Sequence, residues 1–176
     1  MFVPNGFNLK PNGCLPLSLG WRGAFHAFSI TGGPYDAFPR GRAFGVCVRA
    51  ERKPRPEDMD VHLPIRDFDV PEDDAAVAEA LRRTLAAALE GRSVYVGCMG
   101  GWGRTGLFMA LLAKVCWQDD PIGYVRELYT PRAVETEAQT HYVRTFDVAE
   151  LRVWLARTAW AMRLPPLARL IAPPRG

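Results

Sequence analysis

The stretch that most constrains how this chain can fold is VYVGCMGGWGRTG, Val94 to Gly106. A β-favouring run (Val94, Tyr95, Val96) ends in a cysteine and a glycine-dense turn, and the chain restarts as the apolar helix pattern GRTGLFMALLAKV. A strand that breaks into glycines and reopens as a helix gathers many backbone N–H groups at one helix start. Proteins hold phosphate in this way. Cys98 falls at the mouth of that turn, either as a bystander or as a nucleophile.

The flanking pattern supplies the rest of a layered fold. Residues 1–42 are rich in Gly, Pro and Asn and read as turns with short strands around AFHAFSI. AFGVCVRA (43–50) has the β-branched and aromatic content of a buried strand, and DVHLPI (60–65) reads as a second, short one. Pro71 and the acids after it open a helix through AAVAEALRRTLAAALE, closed by Gly91. Strand 93–97, the glycine turn and helix 104–117 follow. QDDPIGYVRELY is a shorter helix with Asp120 as cap and Pro121 at its first position. TEAQ (136–139) has capping-box spacing and predicts a long helix toward residue 162. Strands alternating with helices predict one three-layer α/β domain over 1–176, its central, mostly parallel sheet flanked by helices. In such sheets ligands sit beyond the carboxyl ends of the strands, which is where the Cys98 turn falls.

Composition narrows the function classes. A net charge of +3 is too mild to argue for nucleic acid. No stretch reaches the roughly 18 apolar residues of a spanning helix, and the opening MFVPNGFNLKPNGCLP lacks the basic and apolar regions of a secretory signal. Cys14, Cys47, Cys98 and Cys116 lie far apart with no metal-ligand spacing, and His26, His62 and His141 are scattered. The expectation is a reduced, cytoplasmic protein with free thiols and no metal or cofactor. The preference for Arg over Lys, with abundant Ala, Gly and Pro, suggests a GC-rich bacterial or phage source.

Cys-x5-Arg by itself would arise by chance in such an Arg-rich chain. The fixed offsets of Gly101, Gly103, Thr105 and Gly106, between an apolar strand and an apolar helix, make the pattern specific. CMGGWGRTG resembles the active-site loop of the cysteine-dependent protein tyrosine and dual-specificity phosphatases, H-C-x-x-G-x-G-R-[S/T]-G. The chain length is similar to that of the compact dual-specificity members. IRDFDVP (65–71) resembles the family's general-acid loop and aligns Asp67 with its aspartate. AVETEAQ (133–139) resembles the segment that positions the hydrolytic water, with Glu135 and Gln139 at its two glutamine positions. The resemblance covers roughly 43–146; residues 1–42 and the helix and tail at 147–176 fall outside it.

The resemblance implies a phosphomonoesterase that works through a phosphocysteine on a phosphoprotein or phosphopeptide, without nucleic acid, membrane span or metal. Cys98 would attack phosphorus, since a helix start and a nearby arginine favour thiolates. Arg104 offers a planar fork for two phosphate oxygens. The N–H groups of Met99, Gly100, Gly101, Trp102, Gly103 and Arg104 would cradle the phosphate. Thr105 would donate its hydroxyl to the sulfur, Asp67 would serve as acid and then base, and Gln139, with or without Glu135, would hold the water.

Structural readings stand beside each of these roles. Cys98 is also of a residue type that serves as a core thiol, and Asp67 competes with Asp69 and the carboxylates at 72–74, any of which can cap a helix. Gln139 has the spacing of a capping-box partner for Thr136, and Glu135 that of a first-turn acid. Trp102 lines the rim or packs on a neighbouring loop. Three departures separate the chain from the family pattern: Gly97 where a histidine is usual, Ile65-Arg66 where Trp-Pro is usual, and a carboxylate at 135. They leave a phosphate- or phosphoprotein-binding module without turnover as the rival. A phosphoinositide substrate is disfavoured because MGGWG, between Cys98 and Arg104, carries no charge. The segment from Ala149 onward is amphipathic, with Arg152, Arg157, Arg163 and Arg169, and reads as a core cover or a surface helix. The oligomeric state is left open.

Overall fold

The computed structural model describes residues 13–21 and 24–162; the expectations for the opening segment and for the tail beyond Met162 lie outside them. Five strands form one sheet: β1 (Gly13–Trp21), β2 (Ala24–Pro34), β3 (Phe44–Cys47), β4 (Val61–His62) and β5 (Val94–Cys98), in the spatial order β1-β2-β5-β3-β4. The β1–β2 pair is antiparallel, and β2–β5, β5–β3 and β3–β4 are parallel. Five helices flank the sheet: α1 (Asp74–Leu89), α2 (Gly103–Val115), α3 (Pro121–Leu128), α4 (Glu137–Thr145) and α5 (Ala149–Ala161). Among the described residues, no helix is long and apolar enough to cross a membrane.

The central strand β5 is buried at every position, as a parallel strand covered on both faces must be. Val94 and Val96 join the main core with Ile30, Val46 and the apolar residues of α1 and α2. Tyr95 and Cys47 face a smaller cluster, closed by Tyr35 and Phe38. The register pairs Gly33 and Cys47 with Gly97 and Pro34 with Cys98, so the carboxyl ends of β2, β3 and β5 meet at the cysteine.

Three helices begin on side-chain caps, two of them, at Asp120 and Thr136, on the predicted residues. Asp73 accepts hydrogen bonds from Ala75 and Ala76 N–H at the start of α1, and Asp120 accepts one from Gly123 N–H at the start of α3. Thr136 accepts from Gln139 N–H at the start of α4. Elsewhere the structure differs from the sequence reading. The hairpin β1–β2 is longer than the short strands expected there. Its alternation (Leu15, Leu17, Leu19 buried; Cys14, Pro16, Ser18 exposed) includes a proline, which an edge strand tolerates.

The long helix expected from 136 to 162 is two helices. Lys114 Nζ, on α2, donates to the carbonyls of Val143, Arg144 and Phe146 at 2.7–2.8 Å, giving the orphan carbonyls of the α4 end a partner. Asp147 then accepts from Ala149 N–H where α5 begins. On α5, Leu151, Leu155 and Ala159 form the buried stripe, so this part of the amphipathic segment covers the core.

Candidate active site

Cys98 closes β5 and is 3% exposed. Its Sγ accepts a hydrogen bond from Gly101 N–H at 3.2 Å, the first contact of a loop wrapped around the sulfur. Its own N–H donates to Thr105 Oγ1 at 3.0 Å, so the wholly buried Thr105 ties the two ends of the loop together. Gly101 has φ +81°, and a Cβ there would lie 2.6 Å from Gly33 C. Only glycine satisfies both the left-handed turn and the close passage of the β2 end. Tyr129 Oη donates to Gly101 O at 2.5 Å and fixes the loop from the other side. Burial pushes the pKa of that phenol upward, which keeps it protonated as the donor.

Arg104, in the first turn of α2, is 2% exposed. Nη1 donates to Glu51 Oε2 (2.6 Å) and Ile65 O (3.0 Å); Nη2 donates to Glu51 Oε1 (2.8 Å) and pairs with Asp67 Oδ1 (2.9 Å). Of the five guanidinium N–H bonds, this leaves Nε–H without a partner among the described residues. Hydrogen bonds to Arg104 hold the Glu51 carboxyl below the usual carboxylate range. Burial works against the Arg104 charge, and the contacts with Glu51, Cys98 and Asp67 more than offset it, so its pKa is raised.

Asp67 thus reaches the loop from the predicted acid segment, with its side chain 62% exposed. The next residue, Phe68, is exposed and holds φ +60°, an uncommon conformation for an aromatic residue. Asp69 turns away and accepts Val70 N–H. Gln139 is buried with both ends of its amide in use: the oxygen accepts Glu135 N–H (2.9 Å) and the nitrogen donates to Asp69 O (3.1 Å). Both Asp67 and Gln139 therefore converge on the loop, although Gln139 meets backbone at each end. Glu135 Oε2 accepts Gly103 N–H at 2.9 Å, so its charge is spent on one loop donor.

No protein-family model matches the chain. Two curated proteins of Methanocaldococcus jannaschii are similar to part of it. The uncharacterized protein MJECL20 is 38% identical over 88 residues, 49% of this chain and 58% of that protein. The uncharacterized protein MJ0215 is 38% identical over 85 residues, 47% and 52% of the respective chains. The chain thus spans somewhat over half the length of the curated relatives it matches. Among solved structures, Tk-PTP in its active form superposes with a TM-score of 0.55 at 26% identity, over 71% of this chain and 90% of that one. The chain belongs to the protein tyrosine and dual-specificity phosphatase superfamily.

TpbA of P. aeruginosa, solved in complex with pTyr, is another superfamily neighbour, with a TM-score of 0.50 and 25% identity over 72% of this chain and 85% of that one. The kinase associated phosphatase shares the fold with a TM-score of 0.56 over 84% and 98% of the two chains; at 21% identity the likeness speaks for the fold only.

Against the superfamily pattern, Gly97 has a packing cause. A Cβ at Gly97 would lie 2.8 Å from Gly33 O and 2.9 Å from Tyr35 N and Cα, so the end of β2 and the 3-10 turn Tyr35–Ala37 occupy the space a side chain would need. Tyr95 Oη holds that segment through Pro34 O at 2.8 Å. Sequence reasoning missed this buttress, because residues 1–42 lie outside the resemblance.

It also missed Glu51 and Arg49. Buried Arg49 donates to Asp36 and to Arg52 O, and its Nη1 reaches Met99 Sδ at 3.9 Å, supporting the loop from the β3 side. The available signal was positional, since Arg49 and Glu51 follow the carboxyl end of a buried parallel strand, where such sheets place ligands. Of the other thiols, Cys47 and Cys116 are buried, and burial raises both, Cys116 to about 12, as for core thiols.

Proposed function

We propose that the chain is a metal-independent phosphomonoester hydrolase acting on phosphoproteins through a phosphocysteine on Cys98. The observation that carries this reading is that Asp67, from a segment distant in sequence, comes onto the Arg104 guanidinium of the loop that holds Cys98. A pure phosphate binder needs the loop and the arginine. It does not need a nucleophile together with a movable acid.

The contacts on Arg104 suggest the order of events. Glu51 and Ile65 O hold the far edge of the guanidinium, leaving Nε–H and the Nη2–H that Asp67 now occupies. An arriving phosphate takes both and displaces Asp67 toward the leaving group. The Cys98 thiolate attacks phosphorus as the bond to the leaving oxygen breaks, and the Asp67 carboxylic acid gives that oxygen its proton. Water then attacks phosphorus, the Asp67 carboxylate takes its proton, and the thiolate leaves. Thr105, whose oxygen already accepts Cys98 N–H, has its hydroxyl proton to offer the departing sulfur. The loop N–H groups of Met99, Gly100, Trp102 and Arg104 and the guanidinium neutralise the phosphoryl charge, the part a metal plays elsewhere, while Gly101 N–H is aimed at Cys98 Sγ and Gly103 N–H is held by Glu135. Gln139 holds the water only if one end of its amide leaves Glu135 or Asp69. It is therefore a positioning residue coupled to movement of the acid loop.

The test is hydrolysis of p-nitrophenyl phosphate in the presence of a chelator, comparing wild type with Cys98→Ser and Asp67→Ala from pH 5 to 8. The expected result is turnover abolished by Cys98→Ser, with Asp67→Ala lowering kcat and flattening the pH profile. Folded, reduced wild type no faster than Cys98→Ser would overturn the reading.

A further inference from the structure

The amino ends of the parallel strands, opposite Cys98, hold a cavity unrelated to the phosphate loop. It offers about 520 Å³ between three segments: 38–43 ahead of β3, 57–60 ahead of β4, and 91–93 ahead of β5. That volume lies within the range of small-molecule sites. Its walls are fixed by bonds that need no ligand. Ser93 O accepts Phe44 N–H at 2.7 Å, and Gly45 O accepts Asp60 N–H at 2.9 Å. Asp60 Oδ2 accepts Gly45 N–H at 2.8 Å, and its Oδ1 pairs with Arg92 at 3.3 Å. Tyr35 Oη donates to Asp58 O at 2.8 Å, tying the second wall to the first, where Phe38 stacks on the Tyr35 ring with centroids 5.2 Å apart. A site that is already formed pays little ordering entropy on binding.

Two kinds of surface face this space. Phe38, Ala43 and Met59 make an apolar side; Phe38 belongs to the smaller core cluster, and Ala43 and Met59 pack against it while only partly buried. Arg42 and Glu57 stand on different walls and bring one charge of each sign. Among the described residues, neither makes an ion pair with the other or with any further group, whereas Arg92 with Asp60 and Arg40 with Asp58 are paired close by. Opposite charges that share a cavity without meeting leave room for a molecule that carries both signs. Water serves each charge well, but it serves the apolar side beside them poorly, and an apolar body serves that side better.

We propose that this cavity binds a small zwitterion with a bulky apolar body, its carboxylate on Arg42, its ammonium on Glu57 and its body on Met59 and Phe38. Aromatic amino acids and short apolar peptides with free ends share that chemistry. The inference stands apart from the phosphatase reading, since the cavity includes no residue of the phosphate loop and neither Asp67 nor Gln139.

Calorimetric titration of the full, reduced chain compares L-tryptophan and leucyl-phenylalanine with three incomplete probes. Tryptamine lacks the carboxylate, indole-3-propionate lacks the ammonium, and glycine lacks the apolar body. Each titration is repeated on Arg42→Gln, on Glu57→Gln and on the original chain saturated with vanadate. Both substituted positions are exposed, so the variants should keep the fold, which a thermal melt checks. A zwitterion should bind, and the tighter of the two distinguishes the amino acid from the peptide. Arg42→Gln should weaken it about fivefold, the upper end for an ion pair open to solvent, and leave tryptamine unaffected. Glu57→Gln should weaken it by a similar factor and leave indole-3-propionate unaffected. Vanadate should change nothing.

The proposal is overturned if neither zwitterion binds at millimolar concentration, if glycine binds as tightly, if either variant leaves the Kd unchanged, or if vanadate displaces the ligand. Hydrolysis of an aryl phosphate by a chain that binds no zwitterion would leave the hydrolase reading intact, and zwitterion binding without hydrolysis would do the reverse.

Discussion

Replacing Gly97 by alanine sets two effects of opposite sign against each other. The substitution removes backbone freedom from the unfolded chain, which stabilises by about 0.4–1 kcal/mol where the native site accepts the methyl group. Here the methyl would sit 2.8–2.9 Å from three backbone atoms of Gly33 and Tyr35. Those atoms cannot swing aside as a side chain would. Gly33 is paired with Gly97 in the sheet, Pro34 O is held by Tyr95, and Tyr35 O accepts the N–H that closes its 3-10 turn. Overpacking of this kind costs about 1–3 kcal/mol, so the net effect is a loss. For a chain of this length each kcal/mol lowers Tm by about 2–4 °C, giving an expected fall of several degrees in a thermal melt. Restoring the superfamily histidine at this position should cost more, because the ring needs the space of the turn. The same β2 end passes beneath Gly101, so vanadate binding should weaken along with stability. An alanine variant as stable as wild type would refute the view that the β1–β2 hairpin, rather than drift, explains the missing histidine.

Two other perturbations probe the supports of the site. In Glu51→Gln the neutral amide can no longer hold the guanidinium as a charged fork, so KM for an aryl phosphate should rise several-fold. Because the folded-state pKa of Glu51 is depressed, mainly by its hydrogen bonds to Arg104, its stabilising contribution is fully present above the usual glutamate range and is lost as pH falls through the lower folded value. Melts between pH 7 and pH 3 should therefore show a shallower acid-side decline for Glu51→Gln than for wild type, and parallel curves would count against the linkage. Tyr129→Phe leaves Gly101 O without its donor at a cost of about 1–2 kcal/mol, readable as a lower urea midpoint at unchanged m-value, with vanadate affinity falling because the loop loses one anchor.

The parts of the molecule legible in the sequence are those built from local chemistry. The strand, glycine turn and helix at 94–106 could be read because each residue there answers to its neighbours: β-branched residues to the pleat, glycine to the left-handed turn at 101, and apolar spacing to the buried α2. Caps at Asp120 and Thr136, and an acid cap somewhere in 72–74, were legible for the same reason, since a cap bonds within three residues of itself. What escaped was set by contacts across the fold. Near 146 only Asp147, which accepts Ala149 N–H, hints at a break in the C-terminal helix. It exists because Lys114, on another helix, offers its ammonium to three carbonyls. Glu51 looked like one acid among many in a charged loop, and only the folded chain singles it out as the anchor of Arg104. Pro16 hid a strand because the sequence does not say which strand will be an edge.

Gln139 shows where local and distant causes meet. Its capping-box spacing with Thr136 was visible, and its N–H does bond Thr136. The usual capping box would also send its side chain back to the Thr136 N–H. Instead the amide spans from Glu135 N–H to Asp69 O, joining the strap that fixes the phosphate loop to the segment that carries Asp67. A buried amide satisfied at both ends resists loss of either partner, since an unmet polar group in the interior costs about 1–3 kcal/mol. On the proposed reading, displacement of Asp67 by phosphate would pull on the segment tied to Gln139, and release of that amide at Asp69 would free its N–H for water only once the site is filled. The bonds that the amide makes in place of the reciprocal cap are the ones that, on the proposed reading, it must give up to hold water.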